Sequence, residues 1–404
     1  MNKSSFFSGQ PIFTQLLNYL PKSEVTRVSR MHNSDRYYKK FTTHAHLISM
    51  LYACYEQCSS LREVVTGMQA CEGKLQSLHL QSLPARSTLS EANQRRGYEV
   101  FEALYYHLFE RYHQFLPDSR LKNDRLSRRL ILIDSTTISL FREILQNTGP
   151  AKANGQKKGG IKVHMAIRAS EDVPRLVRLT PAICNDNVFL KDLQIAKGSV
   201  VVMDRGYNGF KKLQEWNKQG VWWVTRLRSN THYTIQHDIE TEPSQASQGV
   251  LKQQHIIMGA SKKNIPKVTC RLIHYYDKET DKYLVFITNN FKWKPATVAA
   301  IYKRRWQIEL LFKRLKQNMT LQYFLGDNEN AIKVQIFCAL IADLLLKIAT
   351  LKIKRPWAYS NLCSLVRLHL MNYTDLIKFL ENPYQTKIID PIPKIQLTLY
   401  ENTG

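Results

Sequence analysis

Apolar and polar residues alternate along this chain with two different periods, and the change between them marks its organisation. Tyr98, Phe101, Leu104, Tyr105, Leu108, Phe109 and Tyr112 recur at helical spacing and predict a helix with one face on a core. Ser60-Leu-Arg-Glu63 has the form of a capping box at a helix start. At residue 129 the texture changes. Arg129–Leu140 (RLILIDSTTISL) is apolar and β-branched and predicts a strand. Ile161–Ala169 and Arg175–Pro181 predict a second and a third. A helix is expected over Asn187–Ile195, a buried strand over Ser199–Asp204, a helix over Asn208–Gln219 and a strand over Val221–Arg228. Strand signals return at Val268–Tyr276 and Tyr283–Thr288, before a helix over 299–318. Helical periodicity resumes at Ala331–Lys354 and Tyr359–Leu380. The order β-β-β-α-β-α-β predicts an α/β domain with a mixed sheet and helices on its faces.

Some charged residues break the apolar pattern. Asp134 follows Leu132-Ile133, and Asp204 follows Val201-Val202-Met203. A carboxylate inside or just past an apolar strand is costly unless paired, metal-bound or at the sheet rim. Gly206 is expected to let the chain turn sharply and leave Asp204 at the strand tip. A third acid, Glu309, sits within Tyr302–Lys316 (YKRRWQIELLFKRLK). On one continuous helix, Tyr302, Arg305, Glu309 and Lys316 share an arc of about 60°, beside an apolar seam of Ile301, Ile308, Phe312 and Leu315. Taken singly, the aspartates read as turn or cap residues and Glu309 as an i,i+4 partner of Lys313. Taken together, three carboxylates on adjacent elements can hold two divalent ions about 3.5–4 Å apart. Oxygen donors without a His/Cys cluster suit hard cations such as Mg²⁺. Arg205, Arg305 and Lys316 could hold phosphates nearby. Lys162 and His164 share a face of the second strand and are expected towards the same place, with a solvated lysine and a structural histidine as the plain alternatives.

The composition points the same way. Lys plus Arg number 58 against 33 Asp plus Glu, a formal charge of +25 over 404 residues. A surplus that large favours a polyanion, nucleic acid before an anionic membrane, through counterion release. The 7 cysteines include no C-x2-C pair, which suits free thiols in a reducing compartment rather than a zinc site. The first residues lack the apolar run of a signal peptide. The longest apolar stretch, Ile332–Ile353, is interrupted by Lys333, Gln335, Asp343, Lys347 and Lys352, so it predicts a buried helix and no membrane span. A cytoplasmic, nucleoid-associated protein is expected.

In this order, IDSTT, VVMDRGYNGF and YKRRWQIELLFKRLKQ resemble the DDE transposases of bacterial insertion sequences, specifically the insertion sequence four family with its YREK signature. The spacings, 70 residues from Asp134 to Asp204 and 105 from Asp204 to Glu309, suit that family, whose last gap holds a β-rich insertion. The resemblance covers residues 128–320. It implies a ribonuclease-H-like catalytic core at 126–320 with the insertion at about 229–298. It implies Asp134, Asp204 and Glu309 as catalytic, metal-binding residues, and two Mg²⁺ ions with Mn²⁺ as a substitute. Tyr302, Arg305 and Lys316 would contact the transposon end. The implied reaction is cut-and-paste transposition of double-stranded DNA by a homodimer holding two terminal inverted repeats, with a hairpin intermediate in characterised relatives, then transfer into target DNA. Relatives stack an aromatic of the insertion on a flipped base, which makes Trp222 a candidate, with core packing as its alternative.

FSGQPIFTQLL, DRYYKKFTTHAHLISMLYA and SSLREVV resemble the N-terminal DNA-binding region of one branch of the group, so residues 1–125 are expected to form a helical DNA-binding domain. Within it Ser87–Arg96 (STLSEANQRR) offers amides and guanidiniums at a helix start. Asn93 and Arg96 are its candidate DNA contacts, with a solvated helix face as the other reading. Helices over 321–404 would support dimerisation. Two further functions stay open: a nuclease or junction resolvase on the same fold, and a transposase-derived regulator that binds DNA without cutting it.

Overall fold

The computed structural model describes residues 9–80, 82–116, 126–139, 151–153, 156–158, 160–259, 266–319, 321 and 323–384. The boundary expected near 125 and the end of the helical region expected over 321–404, from 385 on, lie outside them. In chain order come helices α1 (Ile12–Leu17), α2 (Lys22–Met31), α3 (Thr43–Glu56), α4 (Leu61–Ala70), α5 (Arg86–Arg95) and α6 (Glu99–Tyr112). Strands β1 (Leu130–Ser139), β2 (Ala151–Ala153), β3 (Gln156–Lys158), β4 (Gly160–Arg168) and β5 (Pro174–Pro181) follow. Next are α7 (Asn187–Leu190), β6 (Val200–Met203), α8 (Phe210–Gln219), β7 (Trp222–Arg226), β8 (Tyr233–Ile239), α9 (Pro243–Ser247), β9 (Val250–Met258), β10 (Val268–Asp277) and β11 (Lys282–Thr288). The chain closes with α10 (Pro295–Lys303), α11 (Trp306–Asn318), α12 (Glu329–Thr350), α13 (Tyr359–Leu368) and α14 (Leu376–Glu381).

The chain divides into two compact units, one of residues 1–112 with 314–404 and one of residues 113–313. The helices after 320 therefore share a unit with the N-terminal helices, although the sequence separates them by two hundred residues. α12 is apolar on every side and is buried on every side, packing on α3, α5 and α6. Its one buried acid, Asp343, is satisfied by Arg314 at 3.0 Å and by the Tyr359 hydroxyl at 2.5 Å. That pairing is how a carboxylate survives in so apolar a segment. The capping box forms at α4: Ser60 Oγ accepts from the Glu63 N–H, and Glu63 accepts from the Ser59 N–H at 2.7 Å.

The second unit is built on a nine-stranded sheet ordered β5-β4-β1-β6-β7-β11-β10-β9-β8. β1 runs antiparallel to β4 and parallel to β6, and β6 runs parallel to β7 through the crossover helix α8. This is the mixed α/β arrangement expected. The β-rich insertion continues the same sheet, because β11 pairs antiparallel with β7 and carries β10, β9 and β8 outward. Residues of one face of the sheet (Ile133, Val201, Met203 and Trp223) bury against Phe189 of α7 and Leu213 and Trp216 of α8. α10 packs over β6, β7 and β11.

The single helix expected over 299–318 is two helices. Between α10 and α11 the backbone makes i→i−3 hydrogen bonds, from Arg304 to Ile301, Arg305 to Tyr302, Gln307 to Arg304 and Ile308 to Arg305. A turn wound that tightly resets the rotation per residue, so the angles computed for one straight helix do not carry from Tyr302 to Glu309. The helix expected over 359–380 is also split, with Asp375 capping α14 through the Lys378 N–H.

Candidate active site

Sheet register sets the first two acids side by side. Ile133 pairs with Met203 in the parallel β1–β6 ladder, so the next residues on each track are Asp134 and Asp204. Adjacent strand tracks lie about 4.8 Å apart. Leu132 and Val202, two residues back, point to the face opposite Ile133 and Met203, so Asp134 faces away from α7 and α8.

The α10–α11 junction supplies the rest. Arg305 donates from Nη1 to Asp134 Oδ2 at 2.7 Å and from Nη2 to Glu309 Oε1 at 2.5 Å. The Tyr302 hydroxyl reaches Asp204 Oδ1 at 3.4 Å, and the Arg305 guanidinium lies 5.6 Å from the Tyr302 ring centre. The tight turn lets Tyr302 come from α10 while Glu309 comes from the first turn of α11. Asp134 and Glu309 thus share one guanidinium, and Asp204 stands next to Asp134.

The electrostatics follow from burial. Asp134 and Arg305 are 15% and 14% exposed. Burial raises the Asp134 pKa to about 6; Arg305 and the Ser135 N–H pull it down, while Asp204 and Glu309 push it up. The fields of the other two acids therefore reach Asp134. Arg305 rises above its ordinary value: burial opposes its charge, and Tyr302, Asp134, Glu309 and Asp204 outweigh burial. Among the described residues no three His, Cys, Asp or Glu side chains stand at metal-holding spacing. Asp134 and Glu309 are instead drawn onto Arg305. The donors fit a hard divalent cation, all of them carboxylate oxygens with acid repulsion to relieve.

The other expected site residues are scattered. Arg205 is exposed next to Asp204, and its carbonyl accepts from Arg228 Nε at 2.6 Å. Lys316 lies seven residues beyond Glu309 on α11, half-buried, its pKa lowered by burial, in the helical unit. Lys162 pairs across the β1–β4 ladder with Thr137, and His164 with Ser135, so both point to the face opposite Asp134. There Lys162 donates to the Cys184 carbonyl at 2.9 Å and to Asp186 at 3.0 Å. The expectation that it faces the metal site is corrected by strand alternation. Trp222 is level with Val200, four residues below Asp204, about 13 Å along the strand. It packs against Trp293, with ring centres 6.2 Å apart, so it does not line the acid cluster.

Asn93 and Arg96 are corrected too. They are 1% and 2% exposed, so neither side chain is offered to DNA. Asn93 Oδ1 bonds His46 Nε2 at 2.6 Å, and Arg96 donates to the Phe41 carbonyl at 2.7 Å.

Two residues near the site had no distinct sequence signal. Arg226 ends β7, two residues past Val224, level with Asp204 on the acid face, and its charge acts on Tyr302. Strand parity could have found it. Asp186 lies on the opposite face, accepting from Ser135 Oγ at 3.3 Å and from Lys162. A Cβ on Gly206 would lie 2.7 Å from Asp186 Oδ2. A side chain at 206 would push the Asp186 carboxylate aside; Gly206 does not adopt a positive φ. Asp186 therefore touches the residue after Asp134 and the turn after Asp204.

Comparison with known proteins identifies the family. Residues 125–345 match the profile of the transposase DDE domain family, and residues 8–80 match a domain of unknown function, DUF4372. A protein of Sinorhizobium fredii named as transposase y4zB is 30% identical over 300 residues, 73% of this chain and 76% of that one. A Synechocystis protein named as a transposase for insertion sequence element IS4SA is 26% identical, covering 65% and 71%. A Geobacillus stearothermophilus protein named as a transposase for IS5377 is 25% identical, covering 55% and 57%. A piggyBac transposase synaptic complex with hairpin DNA aligns at a TM-score of 0.45 and 10% identity, covering 93% of this chain and 83% of that one, too low a score to bear on the argument. The chain belongs to the DDE transposases of insertion sequences. It is an enzyme of DNA transposition with a mixed α/β core, and its family works with divalent metal on DNA. No helix among the described residues is long and apolar enough to cross a membrane.

Proposed function

We propose that this chain performs cut-and-paste transposition of its own insertion sequence, with Asp134, Asp204 and Glu309 as the catalytic acids. The observation that carries this reading is the shared Arg305 guanidinium, which joins Asp134 to Glu309 beside Asp204. In it the three acids hold two Mg²⁺ ions, with Mn²⁺ as a substitute. Divalent ions held there would supply activation of a water or a 3′-hydroxyl and neutralisation of charge at phosphorus. The protein's own groups then have distinct tasks. Asp134, Asp204 and Glu309 fix the donor set from two strands and a helix. Arg305 neutralises the acids and presents its remaining N–H groups to a phosphate oxygen. Tyr302 orients Asp204, Arg205 and Arg226 offer charge on the strand ends, and Lys316 contacts the transposon end further along.

The products are a 3′-hydroxyl at each end, followed by transfer into target duplex. A homodimer holds the two ends, the N-terminal helices bind them, and the C-terminal helices contribute to pairing. Incubation with Mg²⁺ and a labelled duplex bearing the element's terminus tests this. Strand scission at the terminus supports it; cutting of branched junctions alone favours a resolvase, and binding without cutting favours a regulator.

A further inference from the structure

The surface between α2 and α3 is organised in a way that the catalytic reading leaves unused. From Lys22 to Lys40 the chain exposes six cations, Lys22, Arg27, Arg30, Arg36, Lys39 and Lys40, and no exposed acid. The segment does contain two acids, and both are engaged by neighbours. Glu24 is bonded by His107 and Arg111 from α6. Asp35 Oδ1 accepts from the Thr43 N–H at 2.6 Å and the Thr43 hydroxyl at 2.9 Å. Negative charge is neutralised by the protein itself, and the outer face is left cationic.

The loop is also braced from beneath. Arg96 donates to the carbonyls of Phe41 and Ser34, reaches Asp35 at 3.5 Å, and lies 4.5 Å from the centre of the Tyr38 ring. Ser34 Oγ bonds Thr43 Oγ1 at 2.7 Å. Ser34, Asp35, Tyr38 and Phe41 are thus held inward, while Arg36, Tyr37, Lys39 and Lys40 stand outward. Tyr37 is 81% exposed, with Arg36 against its ring at 5.4 Å. An open groove of about 630 Å³ runs along α2, lined by Lys22, Ser23, Thr26, Arg27, Arg30 and Met31.

We propose that this surface, the exposed flank of α2 with the loop 32–40, grips the phosphate backbone of the duplex at the element's own terminus, and that Arg96 is the brace that sets its shape. The inference rests on the transposase reading and gives a role to part of the stretch that matches a domain of unknown function. Cations on a floating loop would suit any polyanion. Cations on a loop fixed at several points present one geometry, which suits a partner met in a single register. The terminus is such a partner, and a target of arbitrary sequence is not. The residues that looked like a recognition helix, Asn93 and Arg96, would then serve DNA binding only from behind, as positioning residues.

The test compares the full-length wild type with the triple variant Arg36→Ala, Lys39→Ala, Lys40→Ala. Anisotropy would follow binding to a duplex carrying the terminus and to a scrambled duplex of equal length, across a range of NaCl. Each lost phosphate contact removes about 0.9 from the log–log salt slope. The expected result is a loss of at least about tenfold on the terminus, a slope shallower by about 2–3, and a smaller loss on the scrambled duplex, whose phosphates the same cations meet in no fixed register. Unchanged terminus binding overturns the proposal, as does an equal loss on both duplexes. Circular dichroism melting checks that the three exposed substitutions leave the fold intact. A second variant, Arg96→Lys, keeps the charge but not the fork, and should reduce terminus binding while retaining helicity. Failure of the wider reading would look different: wild type would bind neither duplex selectively and cut nothing. If wild type cuts and the triple variant binds as wild type does, only this inference falls.

Discussion

Arg305 and Asp134 are bonded at 2.7 Å, although 171 residues separate them. Both side chains are mostly buried, and Arg305 also holds Glu309. Removing one member of a buried charged group leaves the others uncompensated, at about 3–5 kcal/mol. Arg305→Ala is therefore expected to destabilise the catalytic unit by about 3 kcal/mol and to reduce cleavage by at least about a hundredfold. Mg²⁺ should stabilise this variant more than wild type, because the acids have lost their counter-charge. Thermal melts with and without Mg²⁺ check it; equal shifts would detach Arg305 from the acids.

Asp186→Asn probes the other face of the sheet. The substitution keeps the shape but weakens the acceptor that Lys162 and Ser135 share. The expected result is normal folding with cleavage slowed about tenfold, because the segments after Asp134 and Asp204 lose a common support. Gly206→Val should act in the same direction, since its side chain displaces the Asp186 carboxylate. Unchanged cleavage rates in both variants would show that the support is unnecessary.

Much of this site was legible in the sequence, for a physical reason. β6 is a short apolar run that leads into a carboxylate, and β1 carries one straight after its apolar half; such a residue must have a partner. β8 was not legible: Tyr233–Ile239 is exposed at the sheet edge, so no burial pattern marks it. β9 was hidden because Gln253 and Gln254 are buried through bonds to Gln245 and Asp238, which hydrophobicity does not register. The break at Arg304–Arg305 uses residues that would serve equally in a continuous helix. Asn93 and Arg96 look like surface residues until His46 and Phe41, remote in sequence, arrive to satisfy them. Asp186 sits in a loop, where no periodicity singles it out.

Lys316→Ala should weaken binding to the terminus and lower the salt slope by about 1, the signature of one phosphate contact. Anisotropy titrations at several salt concentrations measure it. An unchanged slope would place Lys316 away from the backbone.

Acid should loosen the helical unit. Burial, with the charge of Arg96, lowers the His46 pKa from 6.5 to about 3, against the hydrogen bond that His46 Nε2 donates to Asn93 Oδ1, which raises it. The unfolded chain binds that proton near pH 6.5, while the folded chain resists until about 3. Between those values the unfolded state holds more protons, so stability is full above about pH 6.5 and falls as pH drops. A fall from pH 7 to 5.5 should cost about 1 kcal/mol through His46. Burial also lowers His44 of the same unit to about 4, adding in the same direction. Urea midpoints at the two pH values check this, and His46→Gln should shrink the difference. A midpoint that rises on acidification would contradict it.

The account stands or falls on whether three carboxylates hold metal for strand cleavage. A thiolate is a poor ligand for Mg²⁺ and a better one for Mn²⁺. Asp134→Cys, Asp204→Cys and Glu309→Cys should each bind the labelled terminus, fail to cut it in Mg²⁺, and regain cutting in Mn²⁺. Cleavage at the wild-type rate in Mg²⁺ by any of the three would remove that residue from the metal-binding set.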